Sequence, residues 1–200
     1  MNKDSMRKMI WDFLEDNHLS IHLKSPHDRI PNFIGSTAAA KLLRNTQEWI
    51  NSKVIFSSPD TAQKKVREYA LADKKILIMA SPKLKKGYVS INPKNTLNKE
   101  KIASTIDGAF KFGNSIKTFP KVDMVIEGSV AVDLMGNRLG KGGGYGDKEI
   151  SYLFSQNVIN NKTPIVTTIH ESQIVEKVPM EKHDKKINMI VTTERVIRIN

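Results

Sequence analysis

The chain has 200 residues, with 32 Lys and Arg against 21 Asp and Glu for a formal charge of +11, and 39% of it is apolar; that suffices for one domain with a real core and argues against wholesale disorder. It contains no cysteine, which excludes disulfides, thiolate zinc sites and a cysteine nucleophile. No apolar run approaches the roughly 18–20 residues that span a bilayer, and the first 16 residues mix both charges with apolar side chains unlike a signal peptide, so a single domain over residues 1–200, cytoplasmic and with no membrane partner, is expected.

Met6, Met9, Ile10, Phe13 and Leu14 recur at helical spacing and predict an amphipathic helix over residues 3–16. Residues 30–35 read as a loop, after which Ser36 caps a helix running to Asn51 with Ala39, Leu42, Leu43, Thr46, Trp49 and Ile50 on its buried face. A short buried strand follows at 54–56. Asp60 with Gln63 forms a capping box for a helix to Ala72, and residues 75–79 make the next strand. Residues 82–118 show turns, several lysines and one weak helix at 98–107. Two apolar runs flank Gly128 within 122–132; a glycine-rich turn, a helix over 147–158 and strands at 165–169, 187–191 and 195–199 complete the chain. Helical and strand patterns thus alternate. This predicts an α/β fold, a three-layer open and largely parallel sheet with helices on both faces, whose ligands bind beyond the carboxyl ends of the strands.

The excess positive charge is compatible with nucleic acid, a polyanionic small molecule or a lysine-rich surface. The lysine pairs at 64–65, 85–86 and 185–186 are scattered and lack interleaved aromatics, so a nucleotide-stacking platform is disfavoured. His18 and His22, four apart at a helix end without a third ligand, do not make a metal site.

The densest signal is the turn at 136–147, which holds six of the 11 glycines. Successive glycines let a backbone turn its N–H groups onto one anion, and a helix start just beyond adds a positive dipole end. Arg138 and Lys141 supply full charges. The turn contains neither G-x-x-x-x-G-K-[ST] nor G-x-G-x-x-G, so it is a phosphate cradle of another kind.

Gly136-x-Arg138-Leu139-Gly140-Lys141-Gly142-Gly143-Gly144-Tyr145-x-Asp147 resembles the signature of the 5-formyltetrahydrofolate cyclo-ligase (5,10-methenyltetrahydrofolate synthetase) family. Lys3-x-x-x-Arg7 is similar to its N-terminal basic pair. Gln173-Ile174-Val175, Pro179-x-Glu181-x-His183-Asp184 and Val191-Thr192-Thr193-Glu194 are similar to its closing pattern. Arg29-Ile30-Pro31-Asn32-Phe33-x-Gly35, Ala39-Ala40 and Gly128-Ser129-Val130-Ala131-Val132 further resemble the methenyltetrahydrofolate synthetase domain-containing branch, archaeal members included.

The resemblance implies a sandwich of the ribose-5-phosphate isomerase and CoA-transferase type. It also implies ATP- and Mg²⁺-dependent conversion of 5-formyltetrahydrofolate to 5,10-methenyltetrahydrofolate, with phosphorylation of the formyl oxygen, attack by N10 and loss of phosphate. The substrate is then a reduced folate or a related pterin. On this carry-over Lys3 and Arg7 hold ATP phosphates, where otherwise they would be solvated helix charges. Gly140, Lys141, Gly142, Gly143 and Gly144 cradle the triphosphate, and Arg138 neutralises charge on the moving phosphoryl group. Tyr145 shapes the folate pocket or anchors the loop. Asp147 binds Mg²⁺, caps the following helix, or both. His183-Asp184 is a structural pair near the nucleotide or a turn.

Two departures stand out. Gly146 replaces the second tyrosine of a doubled pair, which implies extra room. The stretch 33–40 offers no acid where the family carries a substrate-binding Glu after its first strand. The alternative is a non-catalytic nucleotide- or RNA-binding module on the same fold.

Overall fold

A computed structural model describes residues 1–21 and 25–199. His22 lies outside the described residues, so the His18/His22 pair has no structural test.

Ten strands and seven helices follow one another in the order α1 (Lys3–Asp16), α2 (Ser36–Arg44), α3 (Gln47–Asn51), β1 (Val54–Ser57), α4 (Lys64–Ala72), β2 (Ile76–Ala80), β3 (Tyr88–Ile91), α5 (Glu100–Ala103), α6 (Ile106–Phe112), β4 (Asn114–Ile116), β5 (Met124–Ile126), β6 (Ala131–Val132), β7 (Arg138–Leu139), α7 (Tyr145–Ser155), β8 (Ile165–Thr168), β9 (Met189–Val191) and β10 (Val196–Arg198) among the described residues. Eight strands form one sheet in the order β10-β9-β8-β5-β1-β2-β3-β4. Its five central strands run parallel, and β10, β3 and β4 pair antiparallel at the edges. β6 and β7 form a separate hairpin, Ala131 opposite Leu139 and Val132 opposite Arg138.

Strand alternation divides the core. Ile55, Leu77, Met79, Met124 and Ile126 pack beneath α1 to α6, whereas Val54, Phe56, Ile78, Ala80 and Val125 pack against Ile150 and Leu153 of α7. The largely parallel sheet with helices on both faces is therefore present, with α7 alone among the described helices on the second face.

Several local expectations change. The helix expected over 36–51 breaks at Asn45–Thr46, because the Thr46 side chain accepts from the Trp49 N–H at 3.2 Å and starts a second helix. This turns Trp49 inward and leaves Ile50 61% exposed. Gly35 rather than Ser36 is the cap of α2; its φ of +87° suits a residue without Cβ, and an added Cβ would meet Thr193 at 2.4 Å. In α1 the buried face is Met6, Ile10, Trp11 and Leu14, with Met9 and Phe13 exposed. Residues 82–118, read as turns and one helix, contain β3, the edge strand β4 and two short helices separated by the Thr105 cap. Asp60 and Gln63 form no capping box: the Asp60 side chain caps nothing, and fully buried Gln63 reaches Thr168 instead.

Candidate active site at the carboxyl ends of the parallel strands

β1 lies between β5 and β2, so the chain leaves it in one direction toward β2 and returns on the other side as β5. Such a reversal opens a crevice beyond the strand ends. Here the loops after the three strands (Ser58 to Asp60, Ser81 to Lys83, and Glu127 with Gly128) border a cleft of about 260 Å³, which the glycine turn and the first residues of α7 close from above. The β6–β7 hairpin delivers that turn. Gly142 at φ +107° and Gly144 at φ +63° adopt left-handed backbone that L side chains rarely reach. Gly144 is also the cap of α7, and among the described residues no side chain caps that helix end. A second cleft of about 260 Å³ lies across the turn against α1, bordered by Lys3, Arg7, Gly142, Glu181, His183 and Asp184. Arg138, Gly140, Gly144 and Asp147 border both clefts.

Each cation of the expected site is brought here, and each is already held. Arg138 is 5% exposed; its Nη1 donates to Gly128 O at 3.0 Å and its Nη2 to Asp147 Oδ1 at 2.9 Å, fastening the glycine turn to the loop after β5. Lys3 Nζ donates to both oxygens of Asp184, at 2.8 and 2.6 Å. Burial would raise the Asp184 carboxyl, but Lys3 and the Glu181 N–H outweigh it and hold the group below the usual carboxylate range. Arg7 Nε donates to Gly140 O at 2.8 Å, and its Nη1 bonds Asp4. Lys141 Nζ donates to Asp60 Oδ1 at 2.9 Å and so faces the strand-end cleft, on the other side of the turn from Lys3 and Arg7. Asp147 Oδ1 also accepts the Lys185 N–H at 2.9 Å. Tyr145 borders the strand-end cleft, and a Cβ on Gly143 would meet its ring at 2.6 Å.

Sequence signature and placement agree. The sequence profile of the 5-formyltetrahydrofolate cyclo-ligase family matches residues 2–193. The chain belongs to that family. It is 34% identical over 204 residues to a methenyltetrahydrofolate synthase domain-containing protein of Bos taurus, covering 98% of this chain and 54% of the relative. The Mus musculus protein of the same name is also 34% identical, with 98% and 55% covered. This cyclo-ligase-family chain thus spans about half the length of these curated relatives, whose name is that of the branch its sequence resembles. The solved 5,10-methenyltetrahydrofolate synthetase of Aquifex aeolicus shares its fold, with a TM-score of 0.64 at 20% identity over 100% of this chain and 94% of the other.

Within the family frame, two departures read from the sequence change meaning. The first strand is β1, so the residues after it are Ser58, Pro59 and Asp60, not the stretch 33–40, which precedes it. The strand-end cleft does contain an acid at that place, Asp60. Arg67, fully buried, fixes this loop by donating to Ser58 O at 2.7 Å, Asp60 O at 2.9 Å and Ser104 O at 2.9 Å, and burial lowers its own pKa to about 10. Gly146 does not leave extra room either. A Cβ there would lie 3.0 Å from both Arg138 Nη2 and Glu127 Oε2, so those two side chains fill the space.

Glu127 and Glu149 also border the strand-end cleft and were not singled out in the sequence. They are 2% and 3% exposed and hydrogen-bond one another. Burial pushes Glu127 up to about 7 against the opposing pull of Arg138, and burial beside Glu127 holds Glu149 well above the carboxylate range. Two sequence signals pointed this way: Glu127 interrupts the apolar run Met124-Val125-Ile126, and Glu149 stands one turn before buried Leu153 on the inward face of α7. Among the described residues, the group of three with carboxylate or imidazole ligand atoms within 4.8 Å is Glu181, His183 and Asp184, in the α1 cleft.

Proposed function

We propose that this chain closes the ring of a formylated reduced folate, converting 5-formyltetrahydrofolate or a related formyl-pterin to the 5,10-methenyl form at the expense of ATP. The observation that carries the reading is the pair of clefts divided by one glycine turn, with Arg138 and Asp147 bordering both. One cleft is lined by Lys3, Arg7, the glycine turn and the carboxylates of Asp147, Glu181 and Asp184, which suits a triphosphate arriving with a divalent cation. The other is lined by Tyr145, Ile30, Ile106 and buried acids, which suits a flat heterocycle rich in N–H groups.

Phosphoryl transfer asks for positioning and charge neutralisation more than for covalent help. Lys3 and Arg7 hold the phosphate chain once they exchange their present carboxylate partners, and the N–H groups from Gly140 to Gly144 line it. Arg138, fixed by two hydrogen bonds within the wall, faces the point where the formyl oxygen of one cleft meets the terminal phosphate of the other. Buried and held in place, it stabilises charge there without reorganising. Tyr145 bounds the pterin side.

The carboxylates of Asp147, Glu181 and Asp184 border the phosphate cleft and are the hard oxygen donors that a Mg²⁺ ion takes; when bound, Mg²⁺ supplies charge neutralisation of the phosphates. Clefts of this volume fit small molecules, which favours this reading over an RNA-binding module. No described helix is long and apolar enough to cross a membrane.

The test is direct. The protein mixed with 5-formyltetrahydrofolate and MgATP should develop the methenyl chromophore; a flat absorbance trace over a broad range of folate concentrations would reject the reaction.

A further inference from the structure

The floor of the strand-end cleft holds a group with no counterpart in the signature that led to the site. Glu127, just past β5, and Glu149, in α7, meet from two different elements and hydrogen-bond each other, which leaves one oxygen on each free. Glu127 Oε1 and Glu149 Oε2 are both shielded from solvent and have no donor among the described residues. A buried acceptor left unpaired destabilises the fold, so proteins retain it mainly where something else supplies the donor. The neighbouring cations do not: Arg138 directs Nη1 to Gly128 and Nη2 to Asp147, and Lys141 goes to Asp60.

The chemistry of two acceptors side by side selects the ligand. Phosphates and carboxylates bring like charge and are repelled. A metal ion alone is a poor match, because the three-ligand cluster among the described residues lies in the other cleft. Two adjacent N–H donors in a plane match well, as an arginine fork matches a carboxylate. A ring N–H beside an exocyclic amine, the 2-amino-4-oxopyrimidine edge, has that form. We infer that the Glu127–Glu149 pair reads a 2-amino-4-oxopyrimidine edge at the bottom of the strand-end cleft and sets its specificity. Reduced pterins and guanine both carry this edge. The inference deepens the cyclo-ligase reading for the pterin source and rests on it there. Gly146 belongs to the same device, since any side chain at that position would press on Glu127 Oε2.

The test is a set of calorimetric titrations of the whole chain with 5-formyltetrahydrofolate and its 2-desamino counterpart, and with guanosine and inosine, which differ by the same amino group. Wild-type protein should prefer 5-formyltetrahydrofolate to the desamino form by 10- to 100-fold. In Glu127→Gln and in Glu149→Gln that ratio should fall below about three-fold, with affinity for a MgATP analogue unchanged. Replacing one acid removes a buried charge and keeps its shape, so both variants should fold; Gly146→Ala, which displaces Glu127 without removing it, should lower the ratio as well.

A ratio preserved in both glutamine variants overturns the inference even if the chain turns over folate. A guanosine-over-inosine preference that collapses in the variants, with no folate binding in wild type, keeps the edge and assigns it to the guanine source, and the cyclo-ligase reading then fails. Binding of none of the four compounds by wild-type protein overturns the inference as well.

Discussion

Lys141 and Asp60 should affect nucleotide binding with opposite signs. Their contact spans 2.9 Å, with the Lys141 side chain 40% and the Asp60 side chain 16% exposed. A pair that is partly solvated is worth up to about 1 kcal/mol. A lysine hydrogen bond to a phosphate oxygen is worth about 1.5–3 kcal/mol. Lys141 reaches a nucleotide only by leaving Asp60, so its net contribution is about 1–2 kcal/mol. Lys141→Ala should then weaken binding of a non-hydrolysable MgATP analogue by roughly 5- to 30-fold, at 1.4 kcal/mol per tenfold.

Asp60→Asn removes the competitor and should strengthen the same binding by up to about five-fold. The double variant should bind no more weakly than Lys141→Ala alone, because with Lys141 gone Asp60 acts on the nucleotide only as a like charge. Calorimetric titration at fixed ionic strength measures all four proteins. Unchanged affinity in Lys141→Ala, or weaker binding in Asp60→Asn, would refute the exchange and leave Lys141 as a residue of the pterin side.

Arg138→Met strands Asp147 in a wall where the two side chains are 3% and 14% exposed. Breaking one partner of a buried pair costs about 3–5 kcal/mol, which urea denaturation should show and which adding Asp147→Asn should partly restore; stability equal to wild type would contradict the fastening role. Glu127 has a folded-state pKa raised from 4.5 to about 7, so its contribution to stability is fully present below about pH 4.5 and lost as pH rises through 7. The stability advantage of Glu127→Gln over wild type should therefore grow between pH 5 and pH 8, and a pH-independent difference in urea midpoints would count against burial raising the Glu127 carboxyl. Gly144→Ala meets no atom within 4 Å but must hold φ +63°, a strain of about 1–2 kcal/mol. It should lower the melting temperature and spare folate binding. Gly143→Ala must instead displace Tyr145 and weaken folate binding, and equal folate affinity in the two would remove Tyr145 from the pocket.

What the sequence disclosed followed from how local each signal is. The period of α1, the apolar runs of β1, β2 and β8, and the glycine turn depend on neighbours in the chain, and they are where the pattern places them. β3 and the edge strand β4 are short and carry polar residues such as Ser90, Asn114 and Ser115, and only pairing, of β3 with β2 and of β4 with β3, makes them strands. The Asp60–Gln63 box failed for the same kind of reason. Both side chains had better partners far along the chain, Lys141 for one and Thr168 for the other. Glu127 and Glu149 are separated by 22 positions and become a pair only when α7 settles over the end of β5. A motif can name the glycine turn, but the acids beneath it belong to the tertiary packing.

The excess charge can now be located by subtraction. Lys3, Arg7, Arg138 and Lys141 each bond a carboxylate, respectively Asp184, Asp4, Asp147 and Asp60. Glu127, Glu149 and Glu181 stand among them, and Arg29 and Lys83 also border the strand-end cleft, so six cations face seven acids and the two clefts together carry no positive surplus. The +11 therefore resides on the remaining surface, where it acts at long range by drawing anions in before contact. An incoming anion that takes Lys3, Arg7, Arg138 or Lys141 must displace a carboxylate for each. A singly charged ion gains little by that exchange. A triphosphate displaces several at once, and the exchange that gives it Lys3 leaves the Asp184 carboxylate free for a divalent cation. The closed pairs thus favour a polyphosphate arriving with its metal over either one alone.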